Sequence, residues 1–240
     1  MKLFSWILIL ALAGVLVAAL YSSPVLAPRK VQVTGATELD KARIQRILGE
    51  QSGVPMLAWN LALIESRLQS NHAIRQSNVK RGWFDPPKVT IEYREPVARV
   101  VGGKDAFLSQ DGTIFSQAGI ERELPRVYLP SPAFEPSVTI LGNWDLRSLA
   151  AVATALSDPP SERIQLALDG RGVLKILVPD FGPVDFGTLT SIEEKLQTLD
   201  RIRTTQPKLL QPGEMLNIMA PDKPVVSQDL NYNNSEPVGS

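Results

Sequence analysis

Chemistry at a protein site usually begins with histidine, cysteine or converging carboxylates, and this 240-residue chain offers one histidine and no cysteine. His72 lies in QSNHAIRQS, a polar link between two apolar patterns, and reads as a solvated loop residue rather than a general base. Without cysteine there is no disulfide, thiolate metal site, cysteine nucleophile or lipid-modified cysteine anchor. A hydrolase would have to rest on serine with lysine or on paired carboxylates, yet neither a nucleophile elbow nor a His-Glu-x-x-His helix occurs. Gly102-Gly103-Lys104 in GGKDAF lacks the spacing of a phosphate loop and precedes a strand pattern, not a helix. Asn233-Asn234-Ser235 matches a glycosylation acceptor by pattern alone. Basic and acidic side chains number 25 each, so no charge excess points to nucleic acid. The expectation is a chain with no catalytic residues, no cofactor and no metal, whose function rests on surfaces.

The elements that would present those surfaces begin with LFSWILILALAGVLVAALY, nineteen uncharged residues from Leu3 to Tyr21. As a helix this run spans about 28 Å, close to the hydrocarbon thickness of a bilayer. Leu3 opens it, and Trp6 and Tyr21 near its ends suit interfacial positions. The competing reading is a signal peptide cut after Ala27, against which stand Pro28 beyond the cut and an apolar run longer than a usual signal core. The run is therefore read as an uncleaved anchor contacting membrane lipid. Lys2 stands on one side and Arg29 and Lys30 on the other, so charge alone does not orient it. The large folded region that follows places the N-terminus inside and the bulk outside the cytoplasm.

Beyond the anchor, KVQVTG reads as a strand, and Thr37 to Asp40 resembles a capping box opening a helix with Ile44, Ile47 and Leu48 on its buried face. A second helix carries Leu57, Leu61, Ile64 and Leu68 on one stripe. A strand from Ile74 to Lys80, the turn GWFDPP and the alternating strand KVTIEYR complete the order strand, helix, helix, strand, strand, an α+β unit with its own core. The charged face of that last strand, Lys88, Thr90, Glu92 and Arg94, is expected in solvent. Apolar strand sequence resumes directly after Pro96. There, Asp111-Gly112 marks a hairpin in which both residues tolerate positive φ. A helix from Leu146 to Leu156 follows Asp145, and RIQLALDGRGVLKILV reads as two strands joined at Asp169 to Gly172. TSIEEKLQTLDRI carries a capping box at Thr190 and Glu193 and buries Leu189, Ile192, Leu196, Leu199 and Ile202. A last strand, EMLNIMAP, ends at Pro221, and the tail should be disordered.

These segments, in this order, resemble the FtsQ/DivIB family of bacterial cell-division proteins. The carriers are VQVTGATELDKARIQRIL, VKRGWFDPPKVTIEYREPVARV, FLSQDGTIFSQ and VDFGTLTSIEEKLQTLDRI. The resemblance implies an α+β architecture: a single N-terminal transmembrane helix, a POTRA domain of order β-α-α-β-β, and a β-rich domain with two helices. Its layout would be a cytoplasmic tail at 1–2, the helix at 3–21, a linker at 22–30, the POTRA domain at 31–96, the β domain at 97–227 and a disordered tail at 228–240. Glu95, Pro96 and Val97 would form a direct joint. The resemblance further implies a non-enzymatic scaffold of the division septum in the cytoplasmic membrane. Its partners would be FtsB and FtsL, and through them it would help control the septal peptidoglycan synthase. In the family the last strand lies at a sheet edge and accepts a strand from FtsB. Met215, Leu216, Asn217, Ile218, Met219 and Ala220 match it here, with Leu216 and Ile218 facing the core. Where the family often carries an Asp and an Arg, this chain has Asn217 and Met219. POTRA domains also occur in envelope protein-assembly factors, but those need several repeats and a long series of barrel strands, which about 140 residues after Pro96 cannot supply.

Overall fold

A computed structural model describes residues 2–22, 30–82, 85–130, 140–141, 144–157 and 161–228. Trp83 and Phe84 of the GWFDPP turn, and the tail beyond Gln228, lie outside the described residues. Backbone contacts divide the chain into two compact units, with the division between Arg94 and Glu95.

The first unit opens with helix α1, Lys2–Ser22. Its described side chains are exposed all round, including Trp6, Ile9, Leu12 and Leu16, whereas a water-facing helix buries an apolar stripe and shows a polar face. Several side chains of α1 are outside the description, and taken over the described residues no helix is long and apolar enough to cross a membrane.

Next come β1 (Gln32–Thr34), α2 (Glu38–Gly49), α3 (Leu61–Gln69), β2 (Ile74–Lys80) and β3 (Lys88–Tyr93). The three strands form a sheet in the order β1-β3-β2, parallel between β1 and β3 and antiparallel between β3 and β2. The alternation of β3 places Val89 and Ile91 in the core and Lys88, Thr90 and Glu92 in solvent. Ile44, Leu48, Ile64 and Leu68 of the two helices pack on that face, with Trp59. The second helix is shorter than its apolar stripe suggests. Leu57 sits in a separate 3-10 turn, Met56–Ala58, and α3 starts after Asn60, whose side chain accepts the Leu63 N–H at 3.1 Å. Pro55 and this cap divide what the spacing alone joins.

Thr37 does occupy the N-cap of α2, but its hydroxyl makes no capping bond to the backbone. It turns to Asp40 Oδ2 at 3.3 Å, and the same carboxylate oxygen accepts Tyr93 Oη at 2.7 Å. Asn71 Nδ2 donates to the other oxygen at 3.2 Å. One carboxylate thus ties the start of α2 to the end of β3 and to the α3–β2 turn. Burial raises the Tyr93 pKa above its ordinary value.

The second unit contains β4 (Pro96–Val100), β5 (Ala106–Ser109), β6 (Ile114–Ser116), β7 (Arg126–Tyr128), the short pair β8 (Ile140–Leu141) and β9 (Trp144–Asp145), α4 (Leu146–Leu156), β10 (Gln165–Leu168), β11 (Val173–Val178), β12 (Gly182–Thr188), α5 (Ile192–Thr205), β13 (Glu214–Asn217) and β14 (Val225–Gln228). Pro96 is the first residue of its strand, where a missing N–H is tolerated, and the ladder with β5 shifts register between Pro96 and Ala98. Nine strands form one sheet in the order β14-β13-β12-β11-β10-β7-β4-β5-β6. Its parallel pairs, β4 with β7, β7 with β10 and β12 with β13, require crossovers. Helix α4 lies within the second crossover and α5 within the third. Leu146, Leu149, Val152 and Leu156 of α4 and Leu199 of α5 join strand residues such as Leu166, Leu174 and Val184 in one core.

Gly112 alone takes positive φ at the hairpin tip, at +81°, while Asp111 does not. Gly112 N donates to Ser109 O at 2.9 Å, so the turn is a longer loop ending in a left-handed glycine, not a two-residue turn with both residues left-handed. A Cβ at Gly112 would stand 2.6 Å from Arg147 N, because the tip lies against the first turn of α4. Arg147 Nε donates to Asp111 O at 3.2 Å.

Candidate partner-binding edge

His72 is exposed in the turn before β2, and its carbonyl accepts Arg94 Nε at 2.9 Å. In the first unit an open groove of about 670 Å³ runs between β1 and α2 over Val33, Ile44, Leu48 and Trp59. No group of three or more His, Asp or Glu residues suited to a metal occurs among the described residues.

The six residues expected to form the partner edge lie in and just after β13. Leu216 and Ile218 are buried in the core, Met215 and Asn217 are half-buried, and Met219 is 49% exposed. This is the alternation expected of them. Their place in the sheet differs. β13 pairs in parallel with β12 through Val184–Leu216 and Asp185–Asn217, and its other side is taken by β14. In that antiparallel ladder Glu214, Met215, Leu216 and Asn217 face Gln228, Ser227, Val226 and Val225. The strand expected to end at Pro221 is therefore, among the described residues, neither the last strand nor the edge of the sheet. β14 is, and Val225 and Val226 on it are 57% and 36% exposed. The pairing is four residues long and lies across a connection with two prolines, a signal too short for the sequence pattern to carry.

β13 parts from β14 after Asn217. Ile218 N still donates to Asp185 O of β12 at 3.0 Å, whereas Met219 N donates to the Asn217 side-chain oxygen at 3.0 Å. Met219 then lies over Gly187, where a Cβ would come within 2.6 Å of its Cγ. Gly187 has φ +74° and follows a register shift between β11 and β12. A side chain there would displace Met219, so the glycine fixes the methionine's seat.

The helix beside this end carries a residue the apolar stripe hides. Lys195 of α5 is 1% exposed. Its ammonium donates to Thr188 O at 2.7 Å and lies 5.2 Å from the Phe186 ring centre. Burial pushes its pKa below the ordinary 10.5, and the Asp185 carboxylate opposes that shift. A buried ammonium held by one carbonyl and one ring face pins the β12–α5 turn. The signal was present in the spacing, since Lys195 stands on the stripe of Ile192, Leu199 and Ile202. The expected capping box is not formed. α5 starts at Ile192, its N-cap is Ser191 at φ +49°, and no side chain caps it. Thr190 Oγ1 instead contacts Thr188 Oγ1 at 2.9 Å.

A two-helix, three-strand unit preceding a β-rich unit with two helices defines a POTRA-bearing protein, and residues 26–95 match the family of the POTRA domain, FtsQ-type. Over 213 residues, 87% of this chain, it is 24% identical to the cell division protein FtsQ of Mycobacterium leprae. Over 232 residues, 94% of the chain, it is 24% identical to that of Mycolicibacterium smegmatis. Both comparisons thus make the chain similar to FtsQ-type cell-division proteins. It spans 58% and 65% of the lengths of these two relatives.

Proposed function

We propose that this chain is a non-enzymatic, single-pass membrane scaffold of the bacterial division machinery. In this reading residues 3–21 cross the cytoplasmic membrane with the N-terminus inside, Leu3, Trp6 and Tyr21 mark the ends of the span, and both folded units stand outside the cytoplasm. The apolar, all-round exposed α1 supports the anchor, because such a helix needs an apolar surrounding. The scaffold binds FtsB- and FtsL-like proteins at the division septum and through them helps control septal peptidoglycan synthesis.

The observation that carries the reading is the end of the nine-stranded sheet, where among the described residues β13 is covered on its outer side only by β14. This short strand without a charged side chain, Val225–Gln228, lies along Glu214–Asn217, in a chain whose first unit matches the FtsQ-type POTRA domain. An exposed edge presents unpaired N–H and C=O groups and invites strand addition. Four ladder bonds contribute about 2–6 kcal/mol net, against an association cost of about 4–15 kcal/mol. Side-chain burial must supply the rest, and Met219 offers an adaptable apolar surface for it.

The test is pull-down of an FtsB-like partner by the full chain, alongside a fluorescent fusion imaged in dividing cells. Midcell enrichment and partner capture that is lost in a folded Met219→Glu variant are expected. A uniform envelope signal with no capture would sink the scaffold reading. Capture that Met219→Glu leaves unchanged would move the site to the POTRA unit.

A further inference from the structure

We propose that β14 is a displaceable strand of this chain's own, covering the side of β13 that an incoming extended segment takes. The proposal rests on the reading of this edge as the partner site and adds its regulation.

β14 and β13 are held very differently. β13 is keyed to the core by Leu216 and, just past its end, by Ile218, both essentially inaccessible. β14 contributes no residue to that core, and of its four residues only Ser227 is half-buried, the others being exposed. Its attachment is the four-residue ladder with β13. The connection between them, residues 218–224, holds two prolines, Pro221 and Pro224. Its backbone leaves the β14 ladder at once, since Met219 N donates to the Asn217 side-chain oxygen. A strand held by its ladder alone opens locally, without unfolding the sheet, and opening leaves β13 with its core contacts intact and one side unpaired.

The same ladder states what the edge accepts. An antiparallel segment would set β-branched residues opposite Leu216 and Asn217, and small or polar ones opposite Met215 and Glu214, as Val226, Val225, Ser227 and Gln228 do. An extended segment of that pattern, uncharged across its pairing residues, is the partner chemistry the edge fits. The tether makes β14 a competitor at high effective concentration, so the partner meets a covered edge with reduced apparent affinity.

The experiment uses the full chain in detergent and, as probe, a labelled synthetic peptide of its own residues 222–228. Because the chain has no cysteine, Met215→Cys with Ser227→Cys, which face each other across the ladder, creates its sole disulfide. Three forms are compared by fluorescence anisotropy: the reduced pair, the oxidised pair, and a chain ending at Pro221. The chain ending at Pro221 should bind the peptide, the reduced full chain at least about tenfold more weakly because its tethered strand competes, and the oxidised chain not at all. Equal binding by oxidised and shortened chains overturns the proposal, as does failure of a folded shortened chain to bind. Should the shortened chain not fold, hydrogen exchange in the full chain decides. Amides of Val225 and Ser227, the two that face β13, exchanging about 100-fold faster than those of Val184 and Phe186 support local opening, and equal rates overturn it. A disulfide that forms between two copies instead of within one overturns the claim that the chain covers its own edge. None of these outcomes depends on a division partner, so loss of midcell enrichment or of FtsB-like capture would remove the scaffold reading and leave strand exchange standing.

Discussion

The two ends of the nine-stranded sheet are both short strands, yet they are finished in opposite ways. At one end, β6 buries two successive residues, Ile114 and Phe115, so both of its faces are covered. Phe115 stacks against Phe107 with ring centres 6.0 Å apart, and the hairpin tip leading into β6 lies against the first turn of α4. At the other end, β14 carries two consecutive valines and leaves both exposed. One terminal strand is packed on both faces and the other is held by a ladder. A sheet can therefore lock one outermost strand into its core and leave the other free to open locally.

The largest expected effect comes from unpacking the closed end. Phe115→Ala removes an inaccessible aromatic side chain and should cost about 3–5 kcal/mol. Urea unfolding followed by circular dichroism reads it as a lower midpoint. A cost under about 1 kcal/mol would mean that β6 is as loosely held as β14 and would break the comparison. The hairpin tip comes next. Gly112→Ala places a Cβ 2.6 Å from Arg147 N at φ +81°, and both strain and clash should lower stability by about 1–3 kcal/mol. If that variant melts like the parent, the tip is not seated on α4.

Much of this contrast can be traced back to particular residues in the sequence, and some of it cannot. Val89 and Ile91 alternate with Thr90 and Glu92, and a period of two survives into the structure because one face of β3 meets the helices. The helix from Leu146 to Leu156 was legible for the same kind of reason, its apolar positions recurring at helical spacing. Cap residues were less so. Thr37 and Thr190 have the right type and spacing, but each hydroxyl found a different partner, Asp40 in one case and Thr188 in the other. Local pattern does not reveal such competition. Leu57 fits the stripe of α3 and still lies outside that helix, because Asn60 starts it. Of the candidate edge, the alternation of Leu216 and Ile218 was readable. The cover provided by Val225 to Gln228 was not, since it depends on a pairing across a proline-bearing connection and on no periodicity of its own.

Lys195 sharpens the comparison at the open end, where a buried ammonium does for the β12–α5 turn what apolar packing does at β6. Burial sets its folded pKa below the unfolded value near 10.5. Between those two values the unfolded chain binds the extra proton, so stability rises as pH rises through that window. Lys195→Met should abolish this rise. The measurement is the urea midpoint of parent and variant from neutral pH to about 10.5. The parent should gain on the variant as the solution becomes alkaline. A constant difference between them would mean that burial does not lower the pKa of this ammonium in the folded chain.

The smallest effect is expected on β14 itself, and its smallness is informative. Val225 is 57% exposed, and threonine keeps the β-branched shape that suits a strand. Val225→Thr leaves the four-residue ladder intact and exchanges one exposed methyl group for a hydroxyl, so stability should change by less than about 0.5 kcal/mol. Because the partner displaces β14 and does not pack over it, the same substitution should leave capture of an FtsB-like partner undiminished, which separates attachment from recognition. Urea unfolding and pull-down on one preparation give both readings. A stability loss above about 1 kcal/mol would show that Val225 is packed as Phe115 is, and the sheet would then have two closed ends. A neutral midpoint with weaker capture would place the valine in the contact surface and mean that β14 stays in its ladder when the partner binds, against its displacement.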